Sequence, residues 1–253
     1  MTVQARALAG QVALVTGASS GLGRATALGL AHAGADLILV ARTAQDLVSA
    51  ATEIEARGRR ALPVAADLAL EDDIAAAVEQ GSAAFGRIDV LVNCAATDTP
   101  GPVVDLAVEA WDRVLDVNLR APFLLAKAAF PHMRRAGRGT IVNISSVAGK
   151  RGWANAAAYC ASKFGLAGLT QALAAEGRPY GIRACIIYPG GMATSWGKWS
   201  SEDRASAAAR PAPPSEAMPA EAVADLIVWI ASAPRDLVLN EAIITPLGER
   251  GWP

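Results

Sequence analysis

The chain has 253 residues and a mass of 26.0 kDa, which is enough for one substantial hydrophobic core. Hydrophobic residues make up 53% and charged residues 19%, a globular composition that excludes an intrinsically disordered chain. The net charge of −1 and the pI near 6.1 give no electrostatic footprint for nucleic acid or an anionic membrane, so we expect neither as a partner.

Signals of targeting and of metal binding are weak. No apolar run reaches the roughly 18 residues that span a bilayer, and the first ten residues lack the apolar centre of a secretory signal. Three scattered cysteines, Cys94, Cys160 and Cys185, fit a reducing compartment better than a disulfide framework or a zinc site. The two histidines, His32 and His132, indicate neither a catalytic triad nor a metal cage. We therefore expect a cytoplasmic protein without a metal site.

Short apolar runs alternate with longer Ala/Leu-rich stretches along the chain. This alternation predicts an α/β fold in which helical crossovers join parallel strands, within a single domain over residues 1–253. The predicted strands are Val12–Thr16, Asp36–Ala41, Ala61–Ala66, Ile88–Asn93, Gly139–Ile144, Ile182–Tyr188 and Leu237–Thr245. The proline-rich segment Thr194–Pro219 breaks the rhythm and is too long for an ordinary connection, so it predicts a substrate loop or lid.

A glycine-rich loop, residues 16–23, follows the first predicted strand and precedes a helical stretch. Glycines permit a tight turn and a close approach of the backbone to a bound group, and a helix N-terminus presents free N–H groups to a pyrophosphate. A preceding strand and a following helix are the context that a dinucleotide site requires. The loop therefore predicts these cofactor-binding residues: Gly17, Ser19, Ser20, Gly21, Leu22 and Gly23.

A second motif, Tyr159-x-x-x-Lys163, opens a predicted helix over 156–176. Residues four apart on a helix share one face, so the phenol and the ammonium would point into the same space. A neighbouring cation favours the phenolate and lowers the tyrosine pKa from its free value of about 10. Such a phenol can give or take a proton at working pH.

Gly17-x-x-x-Gly21-x-Gly23 and Tyr159-x-x-x-Lys163 together resemble the motifs of the short-chain dehydrogenase/reductase family, and the resemblance covers nearly the whole chain. It implies a Rossmann-type, doubly wound fold, with a seven-stranded, mainly parallel sheet and helices on both faces. It also implies reversible hydride transfer between a nicotinamide cofactor and a small-molecule ketone or secondary alcohol.

The residues after the second strand bear on the choice of coenzyme. In Rossmann sites an acidic residue near this point binds the adenosine ribose, whereas an arginine accommodates a 2′-phosphate. Ala41 does not repel a phosphate, Arg42 can bind one bidentately, and Thr43 offers a hydroxyl. NADP(H) is therefore favoured. NAD(H) stays open because this chain has Ser20 where many NADP(H)-dependent members carry a basic residue.

The resemblance assigns further cofactor contacts at the ends of the third and fourth strands. The Asp67 carboxylate is expected to accept from the adenine amino group, with the Leu68 backbone against the ring; an N-cap role for Asp67 is the alternative. Asn93 matches the first residue of the family's Asn-Asn-Ala-Gly, while Cys94 and Ala96 depart from it.

The segment 189–194 matches the family's Pro-Gly-x-x-x-Thr motif. By this resemblance Thr194 and the Met192 backbone hold the nicotinamide carboxamide, with Pro189 and Gly190 in the same cofactor loop. By the same resemblance, these contacts determine which face of the nicotinamide ring meets the substrate.

Two polar residues complete the catalytic set that the resemblance implies. Asn118 lies in a helical stretch that disfavours asparagine, and its expected role is to bind a water that links the lysine to solvent. Ser146, thirteen residues before the tyrosine, has the family's spacing and is chosen over Ser145; its hydroxyl would polarise the carbonyl. Tyr159 is the expected general acid and base, and Lys163 lowers its pKa and binds the nicotinamide ribose.

Three tryptophans are candidates for the substrate pocket around Ser146 and Tyr159. Trp153 lies between the serine and the tyrosine, and Trp196 and Trp199 lie in the predicted lid. Aromatic residues equally often serve as packing, so each of the three also suits a role in the core.

Three alternatives remain open at this point. In the first, the chain is an enzyme of the same class whose substrate is a 3-oxoacyl thioester of an acyl carrier protein or CoA. In the second, the chain is a dinucleotide sensor without catalytic activity. In the third it is chiefly a scaffold, whose small residues Gly165, Gly168 and Ala172 allow close helix contact. Because the family commonly assembles through this helix, we expect a homo-oligomer, a tetramer or a dimer.

Overall fold

A computed structural model gives the architecture of the chain and describes residues 7–194, 196 and 217–249. The strands are β1 (Val12–Thr16), β2 (Asp36–Ala41), β3 (Ala61–Ala65), β4 (Val90–Asn93), β5 (Gly139–Ile144), β6 (Ile182–Pro189) and β7 (Glu241–Ile244). They form one seven-stranded sheet in the order β3-β2-β1-β4-β5-β6-β7, and every neighbouring pair is parallel. The expected Rossmann-type sheet is confirmed.

Helices cover both faces of this sheet. They are α1 (Gly21–His32), α2 (Ala44–Glu55), α3 (Glu71–Phe85), α4 (Val108–Leu115), α5 (Ala121–Ala136), α6 (Ala157–Gly177) and α7 (Ala220–Ser232). A π-helical turn, Asp116–Arg120, joins α4 to α5, and 3₁₀ turns occupy Val147–Gly149 and Arg178–Tyr180.

The strands are continuously apolar because both of their faces are covered. Every residue of β1, β4 and β5 is buried. On one face α1, α2 and α7 enclose a core that includes Leu30 and Ile227. On the other face α3, α5 and α6 contribute Ile74, Leu125 and Leu173. Two apolar layers therefore hold the sheet in a fixed position between the helices.

The strand order reverses at β1, whose neighbours β2 and β4 lead to opposite edges of the sheet. In open parallel sheets a crevice forms at such a switch point, outside the carboxyl ends of the strands. The glycine-rich loop after β1 and the loop after β4 both lie at this crevice, so the topology itself places the candidate site.

Two predicted strands begin later in the chain than expected. The strand expected over Leu237–Thr245 begins at Glu241, because the Leu237 N–H instead closes a turn onto the Pro234 carbonyl. The strand expected from Ile88 begins at Val90. Most of the predicted lid, residues 195 and 197–216, lies outside the described residues. No helix within the described ranges is long and apolar enough to cross a membrane.

Candidate active site

The glycine-rich loop packs too closely for side chains at two positions. Gly17 has a φ of 68°, and a Cβ there would lie 3.0 Å from the Ala95 nitrogen; a Cβ at Gly23 would lie 2.2 Å from the Gly17 carbonyl oxygen. Ser20 is the N-cap of α1 and makes no side-chain capping bond. The loop is thus a backbone cradle at a helix N-terminus, where the first N–H groups have no intrahelical acceptors.

Thr16, at the end of β1, fixes the opposite wall of this cradle. Its hydroxyl accepts hydrogen bonds from the backbone N–H groups of Cys94 and Ala95, each at 3.1 Å. Sequence reasoning gave Thr16 no role, because both partners come from the loop after β4. This hydroxyl therefore holds the loop after β4 against the end of β1.

The predicted adenosine-binding residues come together at the ends of β2 and β3. Asp67 Oδ1 accepts from the Ala69 N–H at 3.0 Å, and Asp67 Oδ2 pairs with Arg113 Nη1 of α4 at 2.9 Å. Burial acts to raise the pKa of the Asp67 carboxyl, but these two hydrogen bonds and the charges of Arg113 and Arg42 hold it below its usual value. The alternative N-cap role is not adopted, because Leu70 is the N-cap of α3.

Arg42 and Thr43 are both exposed beside this carboxylate. Thr43 is the N-cap of α2, and its side chain makes no capping hydrogen bond. Arg113 was missed by sequence reasoning, since nothing in an amphipathic helix marks one arginine as the partner of an aspartate 46 positions away.

Asn93 links the site to the sheet. Its Nδ2 donates to Asn143 Oδ1 at 2.7 Å, and Asn143 in turn donates to Thr170 of α6 at 2.8 Å. The buried Asn93 Oδ1 has no hydrogen-bond partner among the described residues. The side chain predicted to contact the cofactor therefore also fixes β4 to β5 and, through Thr170, to α6.

Asn118 lies in the π-helical turn rather than in the interior of an α-helix. Its Oδ1 accepts from the Thr97 N–H and its Nδ2 donates to the Thr97 carbonyl, both at 2.8 Å. Nδ2 also donates to Ser162 Oγ at 3.1 Å, and Ser162 donates to the Tyr159 carbonyl at 2.7 Å. The buried amide thus connects the loop after β4 to the first turn of α6.

Two adjacent serines after β5 have different partners. Ser145 Oγ donates to the Lys163 carbonyl at 3.2 Å, so it supports α6. Ser146 Oγ accepts from the Ala148 N–H at 3.1 Å and faces the tyrosine. Gly149, which sequence reasoning missed, is required here, since a Cβ would lie 2.4 Å from Ser145 Oγ and 2.8 Å from the Lys163 carbonyl oxygen.

Tyr159 and Lys163 lie together on α6, and both are buried. Lys163 Nζ donates to the Ile144 carbonyl at 2.8 Å and lies 5.5 Å from the centre of the Tyr159 ring. Burial lowers the pKa of Lys163 to about 8. The predicted pairing of the two side chains on one helix face is therefore observed.

The expected lowering of the tyrosine pKa by the lysine is not observed. Burial raises the pKa of Tyr159, and the hydrogen bond with Ser146 lowers it without reversing that shift. The reason is that Tyr159 is only 7% exposed, so the cost of burying a phenolate outweighs the favourable contacts.

The segment after β6 is held at both of its ends. The Ala193 N–H donates to the Met218 carbonyl at 2.8 Å, and the Met218 N–H donates to the Gly191 carbonyl at 2.9 Å. The Gly190 N–H donates to the Ile244 carbonyl of β7 at 2.8 Å. A Cβ on Gly21 would lie 3.3 Å from Thr194 Cβ, so Thr194 contacts the glycine-rich loop. The predicted nicotinamide segment, from Pro189 at the end of β6, thus adjoins the cradle.

The three predicted pocket tryptophans have different outcomes. The Trp196 ring lies 5.5 Å from the Tyr159 ring, centre to centre, at an interplanar angle of 37°. Trp153 is 43% exposed, and its backbone N–H donates to Cys160 Sγ at 3.4 Å. Trp199 lies outside the described residues.

Within residues 7–194, 196 and 217–249, no three His, Cys, Asp or Glu side chains are grouped to hold a metal ion.

Comparison with known proteins places this geometry in a family. The sequence pattern described as short chain dehydrogenase matches residues 11–205, more than half of the chain. The chain is 40% identical over 238 residues to cis-4-hydroxycyclohexanecarboxylate dehydrogenase of Sinomonas cyclohexanicum, covering 92% of this chain and 94% of that protein. It is 44% identical over 183 residues to the short-chain reductase protein NovJ of Streptomyces niveus, covering 72% and 70% respectively.

A solved structure is similar over nearly the whole chain. It is a metagenomic short-chain oxidoreductase in complex with NADP, with a TM-score of 0.82 and 38% identity. The match covers 95% of this chain and 99% of that chain. The fold and the sequence therefore point to the same family.

Proposed function

The chain belongs to the short-chain dehydrogenase/reductase family, and we propose that it transfers a hydride reversibly between NADP(H) and a ketone or secondary alcohol, with Tyr159 as the proton donor and acceptor. As a member of this family it is a nicotinamide-dependent oxidoreductase that acts on CH–OH groups. The observation that carries the proposal is the buried pair Tyr159 and Lys163, set beside Ser146.

The residues around the cradle fit a dinucleotide. Gly17 and Gly23 leave no room for side chains of their own, and a pyrophosphate suits the helix N-terminus that they precede. The nicotinamide ring supplies or accepts the hydride when the coenzyme is bound. Met192 and Thr194 would hold the carboxamide, and the Lys163 ammonium would hold the nicotinamide ribose.

Tyr159 gives its proton to the carbonyl oxygen in reduction and takes it back in oxidation. Ser146 donates to the same oxygen and stabilises the negative charge that develops there. Its hydroxyl also opposes the pKa increase that burial imposes on the Tyr159 phenol. Lys163, with a pKa of about 8, is mainly protonated at neutral pH, so a cation lies near the phenol even though burial dominates the pKa of Tyr159.

Asn118 serves this chemistry by position. It holds Thr97 on one side and, through Ser162, the Tyr159 carbonyl on the other. The asparagine therefore sets the distance between the loop after β4 and the catalytic helix. The proton relay between Lys163 and solvent that we expect at Asn118 would run through this region.

The preference for NADP(H) rests on Arg42. Its guanidinium is exposed at the end of β2, and its charge acts on Asp67. A 2′-phosphate can take a charge-assisted bidentate contact from such an arginine. The Asp67 carboxylate, which Arg113 holds in place, would accept a hydrogen bond from the adenine amino group, and the Leu68 backbone would contact the adenine ring. The relative crystallised with NADP supports the same choice.

We also propose a homo-oligomer assembled through α5 and α6. Phe123 of α5 and Phe164 of α6 are 46% and 47% exposed, and burial of this apolar surface against a second copy would favour assembly. Gly168 has open space around it, whereas a Cβ on Gly165 would meet Leu119 of the same chain. Light scattering coupled to size-exclusion chromatography distinguishes a monomer from a dimer or tetramer.

A cytoplasmic location and a single domain over the whole chain remain part of the proposal. All three cysteines are free thiols, which supports a reducing compartment. One sheet with a core on each face supports a single folding unit. Cell fractionation tests the location. Thermal or denaturant unfolding tests the single domain, for which we expect one cooperative transition.

A ketone panel tests the proposed reaction. Cyclic ketones, aryl ketones and acetoacetyl-CoA are assayed with NADPH and with NADH, and turnover is followed at the nicotinamide absorbance. We expect reduction of at least one simple ketone with a higher kcat/KM for NADPH. Turnover confined to the thioester would favour the 3-oxoacyl reductase instead, and absence of turnover with either coenzyme would contradict the proposal.

A further inference from the structure

The loop after β4 is pinned at two points beside the catalytic helix. Asn118 holds both the N–H and the carbonyl of Thr97 at 2.8 Å. Four residues later, the Gly101 N–H donates to the Asn155 carbonyl at 2.9 Å, just before α6. Asn155 has a φ of 61°, an unusual value for a residue other than glycine. The stretch between the two pins is therefore held in place by both partners.

Asp98 lies in this pinned stretch, directly after the residue that Asn118 holds. Its Oδ1 accepts from the Thr99 N–H at 2.8 Å, which restricts the carboxylate orientation. The side chain is half-buried, and in the described part of the chain it takes part in no ion pair. Among the residues that the structure describes, no cation neutralises this carboxylate, and its orientation is fixed at the margin of the site.

The charge of Asp98 acts on the catalytic tyrosine. Burial raises the pKa of Tyr159, Ser146 lowers it, and the negative charge of Asp98 raises it further. The two pins give the geometric reason: Asp98 lies between Thr97, which Asn118 holds, and Gly101, which is bonded just before α6. The carboxylate is therefore held at the same margin of the site as the phenol. The Trp196 ring, which lies 5.5 Å from the tyrosine ring, is an aromatic neighbour of that space.

We propose that Asp98 is a specificity-determining residue that favours uncharged substrates carrying a hydroxyl or other hydrogen-bond donor and disfavours substrates carrying a carboxylate. The proposal rests on the proposed function, because it places the reacting carbon at Tyr159. A fixed carboxylate accepts a hydrogen bond from a substrate donor without reorganising. It repels a second negative charge in the same partly shielded space.

A matched pair of substrates tests the assignment. The probes are 4-oxocyclohexanecarboxylate and its methyl ester, assayed with NADPH at about pH 8, well above the ordinary range of carboxyl pKa values. We expect the wild type to favour the ester by about tenfold in kcat/KM, a modest factor because the half-buried charge is partly screened. Asp98→Asn keeps the acceptor for the Thr99 N–H and removes the charge.

The variant should shift the ratio of the two kcat/KM values toward the carboxylate by about tenfold. The ratio is the readout because Asp98 also acts on Tyr159, and a change in turnover that is common to both substrates cancels in it. Asp105→Asn is the control, since it removes the same charge from an exposed position on the same loop and should leave the ratio unchanged. An unchanged ratio in Asp98→Asn, an equal change in Asp105→Asn, or loss of turnover on both substrates would overturn the proposal.

A binding measurement separates this inference from the proposed reaction. Calorimetric titration of the carboxylate and of the ester into the NADPH-loaded Tyr159→Phe protein measures the binding preference between the two compounds in the absence of turnover. We expect the ester to bind more tightly, and we expect Asp98→Asn in this background to remove most of the difference. Equal affinities before the Asp98 change would refute the role of Asp98. Turnover that survives in Tyr159→Phe would refute the proposed reaction alone.

Discussion

At the scale of single residues, burial decides the behaviour of the candidate catalytic groups. The Tyr159 phenol and the Lys163 amine are enclosed together, and burial disfavours the charged form of each. The tyrosine pKa is therefore raised while the lysine pKa falls to about 8. A spacing of four residues predicts that the two groups meet, but it does not predict how much water surrounds them.

The lowered pKa of Lys163 predicts a specific pH dependence of stability. The amine has a pKa of about 8 in the folded chain, against an ordinary value of 10.5. Between these values the unfolded chain binds more protons, so the free energy of unfolding should rise with pH. Compared with Lys163→Met, the wild type should gain up to about 3 kcal/mol across this window. Urea titrations of both proteins over the pH series measure the difference, and parallel curves would contradict it.

The two serines after β5 offer a matched comparison. Ser146→Ala removes the hydroxyl that faces Tyr159 and should lower kcat by about 100-fold, the usual effect of losing one oxyanion donor. Ser145→Ala removes only the hydrogen bond to the Lys163 carbonyl. It should cost about 1 kcal/mol of stability and leave most of the turnover. Reversed effects on kcat would mean that the two serine assignments should be exchanged.

At the scale of elements, irregular segments carry the site while regular ones support it. The π-helical turn Asp116–Arg120 directs Asn118 toward Thr97, which lies on a different segment. π-turns of this kind are frequent at functional sites. Pro122, the second residue of α5, has no N–H to donate, so a helical donor is missing directly after the π-turn.

Removal of the Asn118 amide should therefore loosen the loop after β4. Asn118→Ala leaves the Thr97 N–H and carbonyl without these partners, which should destabilise the protein by about 2–3 kcal/mol. It should also lower kcat, because Thr97 and the start of α6 lose their common contact. Asp116→Ala, in the same turn but half-exposed, should change the stability by less than about 0.5 kcal/mol. Equal effects of the two substitutions in denaturant titration would contradict this account.

Most of the regular fold could be predicted from the sequence, because it depends on local patterns. Continuous apolar runs identified the strands, and the helix that carries Tyr159 was predicted to within one residue at each end. The partners of Asp67 and Asn118 could not be predicted, since Arg113 and Thr97 are 46 and 21 positions away. Gly149 escaped notice for the same reason. Only the fold shows that the Lys163 carbonyl occupies the space of its missing side chain.

At the scale of the whole molecule, the coenzyme site joins elements that are distant in sequence. Arg42 follows β2, Asp67 follows β3 and Arg113 belongs to α4. The direct pairing of β2 with β3 brings these two strand ends side by side, and the Arg113–Asp67 pair adds α4 to the same end of the crevice. The two arginines thus have different predicted effects on coenzyme choice.

Arg42→Ala should raise the KM for NADPH by about tenfold or more and leave the KM for NADH nearly unchanged, since only NADPH carries the 2′-phosphate. Arg113→Ala should raise both values, because it frees the Asp67 carboxylate that is expected to meet the adenine of either coenzyme. Steady-state kinetics with each coenzyme gives the KM of each variant relative to that of the wild type, for NADPH and for NADH. An Arg42→Ala effect of equal size on both coenzymes would contradict the NADP(H) assignment.

The most direct measurement combines turnover and coenzyme binding in Tyr159→Phe, with NADPH and a ketone that the wild type reduces. We predict that kcat falls by at least about 100-fold, because the general acid is lost, while the calorimetric Kd for NADPH stays within about threefold. Tyr180→Phe, at a half-exposed tyrosine in the turn after α6, should match the wild type in both measurements. A Tyr159→Phe protein that retains wild-type turnover would contradict the central claim.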